Sequence, residues 1–388
     1  MTFHETDHDT ELGQNVRSSG TWTLCATWLA LAANGCGSSS SGVSIATACA
    51  EVAQARCTEA SICSLAAEST GTGFNILANY GDLATCVVRQ KLNCTNALAA
   101  PQNGNTPAQL QQCTAALFGL SCMDFFDNQP PDVCTPTGPR ASSSPCTFNG
   151  QCMSGSCNGT KSTVCGTCGD PPVAGADCSD STCADGYRCV AATNECQLAL
   201  SSNGACDSGH PCERGLSCMG ENTKTMTAGT CETAGASVGV ACGGTLPGCD
   251  PTRGLYCGGP AGAKTCMQII YPGYNGSVTV DGGATPTATD GGDGSTAGAA
   301  PTPAGTACSQ LADGSRVGCV AGDCYTSTGL ATGSDLGACQ PFAADKGACD
   351  TSVGPGCMFP ARCVVFTTGN GTAGTCVVPD ANACPSSQ

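Results

Sequence analysis

The spacing of the cysteines constrains this chain more than any other feature. Three stretches repeat one arrangement: Cys178-x4-Cys183-x5-Cys189-x6-Cys196, Cys206-x5-Cys212-x5-Cys218-x12-Cys231, and Cys242-x6-Cys249-x7-Cys257-x8-Cys266. Each opens on a small-residue turn (AGADC, SNGAC, VGVAC) and sets a glycine shortly before its third cysteine (DGYRC, RGLSC, RGLYC). A unit of about thirty residues is too small for an apolar core alone to hold, so cross-links must substitute for one. Each closed loop restricts the unfolded chain and typically contributes about 2–4 kcal/mol.

Three less regular copies flank these. Cys146, Cys152, Cys157 and Cys165 read as a degenerate first copy, leaving Cys168 over; Cys308, Cys319, Cys324 and Cys339 form another, and Cys349, Cys357, Cys363 and Cys376 a last one with Cys384 extra. The spacing does not fix which cysteine pairs with which. Residues 143–266 are thus a repeat arm and 306–388 a C-terminal continuation, and only eight leucines lie beyond Ser143. Between them, residues 275–305 hold no cysteine and almost no large apolar side chain, the composition of a disordered Gly/Thr/Pro/Ala linker. The arm before it carries seventeen cysteines and the segment after it nine, both odd. Either one disulfide crosses the linker, with Cys168 and Cys384 as its natural ends, or each side keeps a free thiol, or the pairing within a block is read wrongly.

Residues 43–134 differ from the arm. They hold eight leucines, and their spacing is helical over Ile45–Cys57 and Leu83–Leu98. Thr106-Pro107-Ala108-Gln109 starts a third helix, with Thr as N-cap, Pro at the first helical position and Gln three residues on. Cys49 and Cys57 are eight apart, as are Cys86 and Cys94. Eight helical residues span about 12 Å, beyond the ~7 Å limit of a disulfide, so neither pair closes on itself. Equal spacing does let two antiparallel helices be stapled twice, Cys49 to Cys94 and Cys57 to Cys86. Cys63, Cys113, Cys122 and Cys134 pair around them. The expected fold is small and disulfide-rich: an N-terminal disulfide-stapled α-helical domain followed by tandem two-disulfide repeat modules with short hairpins and loops.

Ahead of this head, Trp22–Cys36 (WTLCATWLALAANGC) has the short apolar run and small-residue cleavage pattern of an export signal. Residues 1–35 are read as that signal. The acids Glu5, Asp7, Asp9 and Glu11 contradict a basic n-region, which a start at Val16, before Arg17, restores. Ala33-Asn34-Gly35-Cys36 resembles a lipoprotein lipobox with Ala33 in place of the usual Leu. Cys36 then carries the lipid and residues 36–42 form a flexible tether; ordinary cleavage that leaves Cys36 to pair is the alternative. By resemblance to the sorting rule of that class, Gly37 directs the chain to the outer membrane. Of 36 cysteines, setting aside Cys25 and Cys36 leaves 34, enough for seventeen disulfides.

The net charge of −16 becomes −13 without residues 1–35, which carry four acids and Arg17. An acidic chain without basic clusters repels phosphate backbones, so no nucleic-acid partner is expected. His210 is the one histidine after the leader. Triads built on imidazole and His-rich zinc sites therefore lack material, and no metal or cofactor is expected. In Gly-His-Pro-Cys, His210 reads as an exposed turn residue.

The head-plus-arm layout resembles a group of cysteine-rich predicted lipoproteins from myxobacteria. Over about residues 143–384 the arm is similar to the Dickkopf N-terminal cysteine-rich repeat and, more loosely, to EGF-like modules. The Cys-x-Cys step of EGF modules is missing, so their connectivity does not carry over, and the resemblance implies no activity.

Cys165-Gly166-Thr167-Cys168 has the spacing of a redox dithiol, but Gly169-Asp170-Pro171-Pro172 reads as a turn rather than the helix N-terminus such thiols use. Structural half-cystines are the competing reading. Asp281, Asp290 and Asp293 lack the pattern of a calcium loop. Asn158, Asn275 and Asn370 fit glycosylation acceptors, which a bacterial lipoprotein rarely uses. Asp124 and Asp127 flank Phe125 and Phe126 and read as solvated acids. The sequence therefore points to an exported, lipid-anchored surface protein, structural or partner-binding and without catalysis. Its partners are the membrane, through the anchor, and an extracellular protein or glycan. The alternatives are a secreted inhibitor or ligand-binding module using loops such as Met219–Ala228, and a thiol–disulfide oxidoreductase using Cys165 and Cys168.

Overall fold

The computed structural model describes residues 42–64, 74–120, 130–271 and 301–384, with Cys122 and Phe125, apart from short stretches inside the last two blocks. The leader, Cys36 and most of its tether, most of the linker, Asp124, Asp127, Asn275, Asn370 and the middle of the Met219–Ala228 loop lie outside the described residues.

Four helices build the head: α1 (Ile45–Cys63), α2 (Phe74–Tyr80), α3 (Leu83–Ala99) and α4 (Pro107–Leu117). Each long helix begins at a residue able to satisfy its free N–H groups. Ser44 and Asp82 accept from the backbone of Thr47 and Thr85. Thr106 and Gln109 exchange hydrogen bonds as a capping box at 3.2 and 3.0 Å. The equal cysteine spacings of α1 and α3 resolve into the double staple: Cys49 bonds Cys94 and Cys57 bonds Cys86. Cys63–Cys122 and Cys113–Cys134 close the remaining loops. The apolar interior is small, with Val52, Ile76, Leu77 and Leu117 its large buried side chains. α1 runs to Cys63, six residues past the expected end, and α2 was not expected; seven residues are too few for a periodic signal.

Six modules follow, and all use one connectivity. The first cysteine bonds the third and the second bonds the fourth: Cys146–Cys157 with Cys152–Cys168, Cys178–Cys189 with Cys183–Cys196, and Cys206–Cys218 with Cys212–Cys231. Cys242–Cys257 with Cys249–Cys266, Cys308–Cys324 with Cys319–Cys339, and Cys349–Cys363 with Cys357–Cys376 complete the series. The third and fourth cysteines face each other across an antiparallel hairpin, as Cys218 faces Cys231 and Cys363 faces Cys376. Although opposite, they bond elsewhere, so each hairpin is fastened by two outward links. This register corrects the first module. Cys157 faces Cys168, so Cys168 is its fourth cysteine and Cys165 the one left over.

The small-residue turn that opens each module has a backbone cause. The residue three before the first cysteine has positive φ in all six: Ser143, Gly175, Asn203, Gly239, Gly305 and Lys346, from 66 to 87°. That conformation turns its N–H onto the carbonyl of the module's fourth cysteine, at 2.7–2.9 Å in every copy. The fourth cysteine's own N–H returns to the residue one further on, at 2.7–2.9 Å.

A second rule decides how many strands a module forms. In four modules the residue two before the fourth cysteine is glycine (Gly166, Gly229, Gly337, Gly374), and it pairs with the first cysteine on a third strand, which is an edge in all but the fifth module. The first-to-third disulfide joins the two strands that flank this point. A Cβ on Gly229 would lie 2.8 Å from Cys218 Sγ, and one on Gly337 2.6 Å from Cys324 Sγ, so neither site admits a side chain. The other two modules carry Asn194 and Lys264 at this position, and among the described residues their sheets have two strands. Gly229→Ala is accordingly expected to detach the edge strand and cost about 1–3 kcal/mol, as overpacking does. Lys264→Ala, at the equivalent position of a two-stranded module, should be near neutral. Denaturant midpoints and the yield of the Cys206–Cys218 bond in non-reducing peptide maps check both.

Candidate functional site

The place where distant parts of the chain converge is the seat of the last module. Arg89, on the outer face of α3, forms a bidentate pair with Asp345 at 2.7 and 2.8 Å. It also donates to the carbonyls of Phe359 and Met358, at 2.7 and 2.8 Å. Two turns further along α3, Asn96 donates to the Pro379 carbonyl at 2.8 Å. The planar guanidinium suits this use, since its fork serves a carboxylate and two carbonyls at once. Arg362 donates back to the first module at the carbonyls of Thr163 and Val164, at 3.4 and 3.3 Å.

A covalent bond completes the contact. Cys165 bonds Cys384, across 219 residues of sequence. Beside it Arg140 is buried at 4 % exposure. Its guanidinium donates to the carbonyls of Pro145 and Cys384 and to Gln102 Oε1, the last at 2.9 Å. Burial pushes its pKa down, yet carbonyl dipoles on several sides replace lost water. The odd cysteine counts therefore reflect a link that crosses the linker, with Cys165 rather than Cys168 at its N-terminal end.

The redox reading of Cys165 and Cys168 meets a geometric obstacle. The two sulfurs belong to different disulfides, Cys165–Cys384 and Cys152–Cys168, and Gly166–Cys168 is a strand rather than a helix start. A dithiol motif works by opening and closing one bond between its own cysteines, and that bond does not exist here. The triads of module sulfurs within 4.8 Å of one another, such as Cys308, Cys319 and Cys339, come from two neighbouring disulfides. Oxidised sulfurs cannot act as thiolate ligands. His210 is exposed, and its Nδ1 lies 2.8 Å from Asp207 Oδ1. The imidazole and the Gly209 N–H hold the Asp207 carboxyl below its usual range. The pair closes a turn inside the third module, as the sequence suggested for His210.

The linker's two ends meet. Ile270 forms a parallel bridge with Val317, and its carbonyl accepts from Gly318 N at 2.8 Å. Thr302, at 1 % exposure, exchanges bonds with Val320 at 3.2 and 2.8 Å. The fourth and fifth modules thus dock directly on each other, and Ile270 and Thr302 both rest on the one short stretch 317–320. α2 supports this junction, because the Ala321 N–H donates to the Leu77 carbonyl at 2.8 Å and Phe74 packs against Gly254.

Seventeen disulfides, accounting for every described cysteine, fit a chain that matures in an oxidising extracellular or envelope space. Among the described residues no helix is long and apolar enough to cross a membrane. No family model, curated protein or solved structure matches the chain.

Proposed function

We propose that this chain is an exported surface protein, anchored at the outer membrane by a lipid on Cys36, that presents a disulfide-locked body to an extracellular partner and catalyses no reaction. The observation that carries the reading is the module ladder, one connectivity used six times with the last module bonded back to the first. Such a body pays little entropy on meeting a partner because it is already fixed. The lipobox-like Ala33–Cys36 and the polar stretch after it supply the anchor.

Fractionation of cells making the full chain tests it. The protein is expected in the membrane fraction after salt and alkali washes. Cys36→Ser should release it. Native protein should take up no alkylating reagent until reduced, and then at 34 positions in the mature chain. Soluble cytoplasmic protein with open thiols would end the reading, and release of the unmodified chain into the medium would favour the secreted binding module.

A further inference from the structure

The head contains a cleft of about 120 Å³ where α1, α3 and α4 meet. α3 contributes Gln90, Asn93, Cys94, Ala97 and Leu98, a continuous stripe at helical spacing that faces the other two helices. An inward face of this kind is ordinarily apolar throughout. Here its N-terminal half is polar, and α1 adds the cation Arg56 beside Val52. Leu110 of α4 and Asn105 close the far wall.

Arg56 is the informative residue. Among the described residues its guanidinium has no hydrogen-bond or ion-pair partner, and neither has the Asn93 side chain. The other cations discussed above are engaged: Arg89 with Asp345, Arg140 and Arg362 with carbonyls. Arg56 is open to solvent, yet the protein around its guanidinium hydrates the charge less well than water and lowers its pKa. In a chain of net charge −16, a cleft cation that has no ion-pair partner among the described residues is not a generic surface feature. The walls are also held in place, since Cys94 is bonded to Cys49 and Cys113 to Cys134.

We propose that this cleft binds a small carboxylate carried on a short apolar chain. Arg56 takes the carboxylate through its two-pronged donor edge, Asn93 supplies a further polar contact, and Val52, Leu98 and Leu110 cover the apolar part. The volume fits a group of five or so carbon atoms (a water occupies about 30 Å³ of liquid), and the open side leaves room for a longer chain to continue outward. One monovalent cation with apolar walls favours a carboxylate over a phosphate. This reading rests on the cleft alone and holds whether or not Cys36 carries a lipid.

Calorimetric titration of the full chain at low salt tests it, with sodium isovalerate as probe, isovaleramide as neutral control and inorganic phosphate as competing anion. Saturable binding of isovalerate, weaker binding of the amide and of phosphate, and a loss of about tenfold or more in Arg56→Gln are expected, since removing a charge-assisted pair has that effect. Ala97→Leu, which fills the cleft and leaves Arg56 in place, should abolish binding too, while the exposed Lys91→Gln should not change it. Unaltered disulfide maps and far-UV spectra confirm that the variants are folded. A peptide ending in valine, free acid against amide, separates the two sources of such a group: binding of the peptide acid alone supports a protein C-terminus as the natural occupant, binding of both acids a free metabolite. No saturable binding of either acid, phosphate binding more tightly, or binding unchanged in Arg56→Gln would overturn the proposal.

Discussion

A protease site inserted after Asp290 is expected to cut the chain into two pieces that stay joined in detergent until reductant is added. Of the described disulfides, only Cys165–Cys384 spans the cut. Every other bond lies wholly before residue 272 or wholly between Cys308 and Cys376. In the Cys165→Ser, Cys384→Ser double variant the same cut should give two bands without reductant. Closing a loop of this length contributes about 5.4 kcal/mol in the chain-entropy model, less to the extent that inner cross-links already shorten it. What is left without the bond is polar. Asp345 is more than a third exposed, so its pair with Arg89 contributes about 1 kcal/mol or less. The uncut double variant should therefore show faster amide exchange at the last module, with the other modules unchanged. Fragments that separate in the parent protein before reduction would refute the bond.

The second large effect is expected in the head. The double substitution Cys49→Ala, Cys94→Ala opens a span of 45 residues, and Cys57→Ala, Cys86→Ala one of 29. Each should cost about 3–4 kcal/mol, with a further contribution from the void left by the buried sulfurs. Four large covered side chains contribute about 1.5–3 kcal/mol each, and that sum must also offset the ordering of four helices. One staple lost should leave a folded head with a much lower denaturant midpoint. Both lost should leave it without fixed packing, while the modules persist. Helical far-UV signal against guanidinium measures the first result, and peptide mapping of the module disulfides measures the second. A head as stable without its staples as with them would mean that the apolar contacts alone suffice.

How much of this was legible depended on the range of the interaction. The helix pair of the head was readable because two eight-residue spacings and helical geometry together leave few ways to bond. The Thr106–Gln109 cap was readable because its partners lie three residues apart. The leftover cysteine was misassigned because spacing alone does not distinguish Cys165 from Cys168; hairpin register does, and Cys157 faces Cys168. The opening turn was visible where it is Gly175 or Gly239 and hidden where Ser143 or Lys346 takes the same positive φ. Arg89 and Arg56 gave no signal at all. Their roles depend on what lies opposite in space, a carboxylate 256 residues away in one case and no partner among the described residues in the other.

The meeting of Ile270 and Thr302 on one stretch has a consequence for how such a molecule can change. An insert there begins and ends at nearly the same point, so its length hardly affects the body that carries it. Doubling a flexible loop costs only about 0.6 kcal/mol. The fourth and fifth modules hold each other through Ile270, which meets Val317 and Gly318. The two attachment points, Ile270 and Thr302, both sit on residues 317–320, so added chain between them leaves the ladder beneath in place.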